Sequence, residues 1–118
     1  MTVKEFLYQW WMLKSVTDHE GKEVRRVELL YHEPVICNNF YIEYYSRDIE
    51  RFHFDWYFTK KLSNGDTFVG CNGWHTSSIV EIKENDEELI VTTRNSVYTF
   101  VKIDNSIFTI LTNGYEER

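Results

Sequence analysis

Proline is almost absent from this sequence: Pro34 is the only one, and glycine is sparse at five residues. With so few breakers and no low-complexity tract there is no stretch of linker composition. The 118 residues are therefore read as one domain spanning 1–118. The two cysteines, Cys37 and Cys71, are too few for a disulfide framework. No run approaches the roughly 20 apolar residues that a membrane span requires. Met1 to Lys14 lacks a basic leader region, and Lys4, Glu5 and Gln9 interrupt its apolar residues. These absences predict a cytoplasmic protein in a reducing compartment, with no membrane partner. Basic charge is also short, with 13 Lys and Arg against 19 Asp and Glu, for a net charge of −6. Nucleic-acid binding needs a basic footprint that replaces phosphate counterions, so direct binding of that kind is disfavoured.

Aromatic residues are what the sequence has in excess. Eight Tyr, eight Phe and four Trp make up 17% of the chain. Each can bury about 150–250 Å², and disordered chains are poor in these residues. At this length a core can form without covalent staples.

Most of the local patterns are β. Thr2 and Glu5 have capping-box spacing, and Val3, Phe6, Leu7, Trp10, Trp11 and Lys14 follow near helical spacing. This predicts a short helix over 2–14 that runs into a strand near residue 11. The competing reading starts the first strand at Trp10, with Asp18 to Gly21 as a turn. Arg25–Tyr31, ended by Pro34, and Val35–Tyr45 are strand candidates. Phe52, Phe54, Trp56 and Phe58 alternate with His53, Asp55, Tyr57 and Thr59, the period of a strand. Asn64-Gly65 predicts a type I′ hairpin turn, with Thr67–Cys71 as the short return strand.

Asn72-Gly73 then reads as a loop. Ser78–Lys83, Glu88–Thr93, Val97–Ile103 and Ile107–Thr112 complete the strands, separated by Asn85-Asp86, Arg94-Asn95-Ser96 and Asp104-Asn105. Asn113-Gly114 ends the order, before a polar tail from Tyr115 to Arg118. About eight or nine short strands with turns every 8–12 residues are expected of an all-β fold. The expected architecture is a small barrel or strongly bent antiparallel sheet with a short N-terminal helix. An α+β roll is the alternative, if residues 2–14 form a full helix packed on the sheet.

Few constellations suggest chemistry. His32, Cys37, Cys71 and His75 form two pairs of nitrogen and sulfur donors that would suit tetrahedral zinc if their strands were neighbours. Their spacing departs from the standard fingers, which begin with a close Cys pair. Buried, inert cysteines with surface histidines are the plainer account, so no metal and no cofactor are assigned. Cys71 with His75 would supply a nucleophile and a base, but the surrounding Gly70 to Trp74 is neutral and offers no orienting group. His53 and Asp55 would pair a base with an acid, although such alternation more often marks a solvated strand face. Phosphate loops, dinucleotide fingerprints, G-x-S-x-G and His-Glu-x-x-His are all missing. No enzyme is expected.

Trp10 to Val24 resembles the first hairpin of bacterial lipocalin-like domains. In those a Trp near the start of the first strand closes the barrel floor and a Gly-containing turn follows. Gln9 stands where a Gly usually precedes that Trp. The resemblance implies a small closed barrel holding an apolar ligand among Trp10, Phe40, Phe54, Trp56 and Phe100. Thr76–Ile82 and Val91–Tyr98 have the look of a β-rich cassette from small bacterial or mobile-element proteins.

The leading functional expectation is a non-enzymatic binding domain acting by protein–protein interaction. Its expected surface joins the acidic turn Glu84, Asp86, Glu87 and Glu88 to Tyr44, Tyr45, Trp74 and Tyr98, because aromatic residues dominate interface hot spots. Small size and negative charge suggest a phage or mobile-element inhibitor that occupies a partner's phosphate-binding groove. The alternatives are the apolar-ligand barrel and a zinc or Cys/His-dependent protein. Open edge strands would allow a homodimer through strand pairing.

Overall fold

A computed structural model describes residues 9–24 and 35–104. It shows six antiparallel strands that close into a barrel in chain order. They are β1 (Trp10–Thr17), β2 (Val35–Ser46), β3 (Ile49–Lys61), β4 (Thr67–Glu84), β5 (Glu88–Thr93) and β6 (Val97–Ile103). β1 pairs with both β2 and β6, so every strand has two neighbours and the sheet returns on itself.

The all-β expectation holds, with fewer strands than the eight or nine expected and no helix among the described residues. No described helix is therefore long and apolar enough to cross a membrane. The expected helix over 2–14 is replaced by a strand from Trp10 onward, and residues 1–8 lie outside the described set. Closure explains the replacement. Trp11 and Leu13 must pack into the barrel while their backbones bridge β2 and β6. A period of two satisfies both demands, and the local helical spacing does not compete. The candidates at Arg25–Tyr31 and Ile107–Thr112, with Pro34 and the segment from 113 to 118, also fall outside the described residues.

The largest correction concerns Thr67–Cys71 and Ser78–Lys83. These are not two strands around an Asn72-Gly73 loop but parts of the single 18-residue strand β4. Its first part pairs with β3, including Asp55 with Gly73, and its last part pairs with β5. Asn-Gly is a turn signal only where the neighbouring strand does not capture the backbone, and here β3 does. Two tight turns share one hydrogen-bond pattern. Gly21 N donates to Asp18 O and Asp18 N to Lys22 O, while Gly65 N donates to Leu62 O and Leu62 N to Asp66 O. In each the glycine alone takes positive φ, 88° at Gly21 and 90° at Gly65. That is the three-residue loop with a left-handed bulge rather than the type I′ turn expected at Asn64-Gly65.

The interior is filled by aromatic rings. Phe40 lies at its centre, with ring centroids 4.7 Å from Phe100, 5.1 Å from Phe52 and 5.4 Å from Trp11. Phe54 packs on Phe100 at 5.1 Å. Leu13, Val16, Val35, Leu89 and Val91 complete the surrounding layer. An eight-stranded barrel is only just wide enough for side chains or one small ligand, and six strands enclose less.

Candidate functional site

The outward face of β2, β3 and β4 carries the most specific arrangement of polar groups, and a single irregularity creates it. Cys37 on β2 pairs with Trp56 on β3, and both point inward. Moving along β3, Phe54 alone separates Asp55 from His53. Along β2, two residues separate their partners Asn38 and Tyr41, so the strand carries one extra residue. Asn39 absorbs it with φ of 57°, a left-handed conformation that asparagine tolerates better than most residues. Without this bulge the parity set by Cys37 would turn Tyr41 and Glu43 into the core. With it Phe40 faces in, and Tyr41 and Glu43 stand beside His53. Bulges often re-aim side chains in this way.

Three residues converge there. Glu43 Oε1 lies 3.1 Å from His53 Nδ1 and Glu43 Oε2 lies 2.9 Å from His75 Nδ1. The two Nδ1 atoms are 3.5 Å apart. On its other side His53 Nε2 is 2.9 Å from Asp55 Oδ1, while Asn39 Nδ2 donates to Asp55 Oδ2 at 2.9 Å. A carboxylate only accepts, so Nε2 of His53 carries a proton and its orientation is fixed.

His53 is buried although it points out of the barrel. The Tyr41 ring stacks on it at 4.3 Å and the His75 ring meets its edge at 4.8 Å. Beneath it Gly73 has no side chain, and a Cβ there would stand 2.9 Å from His53 Cε1. This close approach explains a glycine inside a strand. His75 keeps 46% of its side chain exposed, so solvent reaches the cluster from that side.

Electrostatics follow from these contacts. Desolvation pushes the Glu43 carboxyl up, but hydrogen bonds from Tyr45, His75 and Tyr41 and the His75 charge outweigh it and hold it below its ordinary value. Desolvation and the neighbouring Glu43 carboxylate raise Tyr41, and the hydrogen bond to Glu43 is the main reason Tyr45 is raised. Arg51 stacks over the Tyr45 ring at 4.6 Å, extending the network towards the β2–β3 turn.

The residues expected to act from sequence are distributed differently. Tyr44 and Tyr45 are exposed near the β2–β3 turn, and Glu84, Asp86 and Glu87 are exposed around the β4–β5 turn. Glu88 is half-buried, and its carboxylate lies 3.6 Å from Lys14 Nζ. Consecutive antiparallel strands place both turns at the same end of the barrel. Trp74 and Tyr98 do not belong to that surface. Tyr98 is buried in the core, and Trp74 packs against the core and donates its Nε1–H to the Tyr98 hydroxyl at 3.2 Å. Their parity along β4 and β6 turns them inward.

The expected set of His32, Cys37, Cys71 and His75 does not assemble. Cys37 is in the core, where burial raises its thiol well above the ordinary value, while Cys71 is exposed on the outer face, with β3 lying between β2 and β4. His32 lies outside the described residues. Cys71 instead meets Tyr57, whose hydroxyl donates to Asn38 Oδ1 at 3.0 Å. Burial, then the contact with Cys71, pushes Tyr57 up to about 12. His75 joins Glu43 and His53, and the His53–Asp55 pair is a formed hydrogen bond rather than a solvated alternation. Glu43 was not legible in sequence as a partner, since nothing there announces the Asn39 bulge.

Comparison with protein-family models, with curated proteins and with solved structures finds no match for this chain.

Proposed function

We propose that this chain is a non-enzymatic binding domain that engages a protein partner at the end of the barrel where the β2–β3 and β4–β5 turns open. One observation carries the reading. Large apolar side chains are exposed on the strands that lead to these turns, Tyr44 at 73%, Val80 at 66% and Tyr45 at 53%, with Ile42, Ile49 and Ile82, whereas Leu62 and Phe68 are those exposed beside the opposite β3–β4 turn. Concentrated apolar exposure of this kind usually marks a contact surface. Tyrosines provide rigid amphipathic anchors. The acidic turn residues Glu84, Asp86 and Glu87 stand at the same end, so the fitting partner presents basic residues around an apolar contact.

The aromatic filling of the barrel argues against the lipocalin-like alternative, because a bound apolar ligand needs a cavity of about 300 Å³ or more. Compact size, negative charge and a partner-facing end fit an inhibitor of phage or mobile-element origin acting on a basic, phosphate-binding surface. Two free cysteines fit a reducing, cytoplasmic location.

The test places a photo-crosslinking residue at position 44 and, separately, at position 64 in the opposite turn. The reading expects a protein adduct from position 44 that weakens as salt is raised and disappears when Glu84, Asp86, Glu87 and Glu88 are reversed to lysine. Equal adducts from both positions, or an adduct indifferent to salt and to charge reversal, would reject it.

A further inference from the structure

We infer that Glu43, His53 and His75 form a binding site for one divalent transition-metal ion of the zinc class on the outer face of β2, β3 and β4. The inference is independent of the protein-contact surface proposed above.

Two imidazole nitrogens and one carboxylate suit zinc, which takes nitrogen donors at about 2.0–2.1 Å in tetrahedral geometry. Two nitrogens bound to one such ion stand about 3.3 Å apart by that geometry. The Nδ1 atoms of His53 and His75 are 3.5 Å apart, and the Glu43 oxygens are 3.1 and 2.9 Å from them. Small outward movements of the half-exposed His75 ring would admit the ion. The fourth position faces solvent beside His75.

The His53 Nε2 proton is committed to Asp55. In the neutral ring Nδ1 then offers only a lone pair, and it faces a carboxylate oxygen and a second imidazole nitrogen. His75 Nδ1 donates to Glu43 Oε2 in one neutral tautomer, but the His53 Nδ1 lone pair and the Glu43 oxygen 3.1 Å from it repel unless positive charge lies between them. Either added protons or a metal ion supplies it, and the two occupants are experimentally distinct.

The support around the ligands is of the kind that metal sites use. A ligating histidine usually donates its other N–H to a carboxylate, which fixes the tautomer and raises the basicity of the ring. Asp55 fills that role for His53, and Asn39 holds Asp55 in turn. Tyr41 covers the His53 ring, with ring centroids 4.3 Å apart. Gly73 provides the space into which the ring is set. A solvated strand face does not need this much fixation.

The experiment uses the full chain, stripped with chelator and then given zinc chloride or cobalt chloride. One zinc per chain should remain after gel filtration in metal-free buffer, read by elemental analysis and native mass spectrometry. Cobalt should show visible d–d absorption of a low-coordinate nitrogen and oxygen site, and zinc should bleach it. His75→Ala and Glu43→Gln should abolish both signals. Asp55→Asn should weaken binding about 10–100-fold, as loss of an outer-shell partner does. His19→Ala, which removes a histidine hydrogen-bonded elsewhere to Thr93 O, should change nothing. Circular dichroism on each variant separates lost binding from lost fold, and the exposed His75 makes its variant the safest. A wild-type chain that retains no zinc would overturn the site and leave protons as the occupants. Undiminished binding by folded His75→Ala would overturn it equally, as adventitious surface coordination.

Discussion

Replacing Gly73 with alanine tests how firmly His53 is held. The new Cβ would stand 2.9 Å from His53 Cε1, 3.6 Å from Nε2 and 3.7 Å from Asp55 Oδ1. The first distance is too short for carbon atoms, so the imidazole must move. It is confined by the Tyr41 ring above, Asp55 at Nε2 and Glu43 at Nδ1. Overpacking of this kind costs about 1–3 kcal/mol. Gly73 has no positive φ, so alanine also stiffens the unfolded chain and returns about 0.4–1 kcal/mol. The net expectation is a loss of about 1–2 kcal/mol, which moves a urea midpoint down by roughly 0.5–1 M for a slope near 2 kcal/mol/M.

The decisive form is a double-mutant cycle. In a His53→Ala background the obstruction is gone, and the same glycine replacement should stabilise. The change of sign gives a coupling energy of about 1–3 kcal/mol, within the range for residues in contact. Imidazole nitrogen resonances of His53 should shift in the single Gly73→Ala variant. A coupling near zero with unmoved His53 resonances would refute the claim that the ring is set against the bare backbone of β4.

Phe40→Ala should destabilise by about 3–5 kcal/mol, seen as an earlier urea midpoint, because that ring packs on Trp11, Phe52, Phe54 and Phe100. Glu43 is held below its ordinary value of 4.5, so its ionised form favours the folded state. That contribution is present above this pH and disappears as pH falls through the folded value, so acid unfolding curves of Glu43→Gln should be flatter than those of wild type. Tyr57 is raised from 10.0 to about 12. Stability should therefore be lost as pH rises across that interval, and Cys71→Ala should bring the Tyr57 absorbance midpoint down. A thiol reagent should modify the exposed Cys71 in the native protein, and Cys37 only after unfolding; two equally fast thiols would contradict the core position of Cys37.

Several features of the fold were legible before the structure. Glu88–Thr93 and Val97–Ile103 are strands over those same residues, because alternation and a flanking polar turn agree there. The inward run of Phe52, Phe54 and Trp56 was legible for the same reason. Where local and tertiary preferences conflict, the sequence misleads. Asn72-Gly73 has turn chemistry, yet pairing with β3 holds it extended, and the same pairing places the missing side chain under His53. Trp74 and Tyr98 looked available for an interface, but strand parity turned them inward.

The sequence by itself determined an aromatic, β-patterned chain, the hairpin glycines and the excess of acid, because each depends on residue type or on spacing within a few residues. Only the tertiary structure decided barrel closure, the merging of two expected strands into β4 and the outward convergence of Glu43, His53 and His75. Those depend on register between strands, and register turns on single bulges. One extra residue at Asn39 decides which face of the sheet the β2 side chains from Phe40 to Tyr44 occupy.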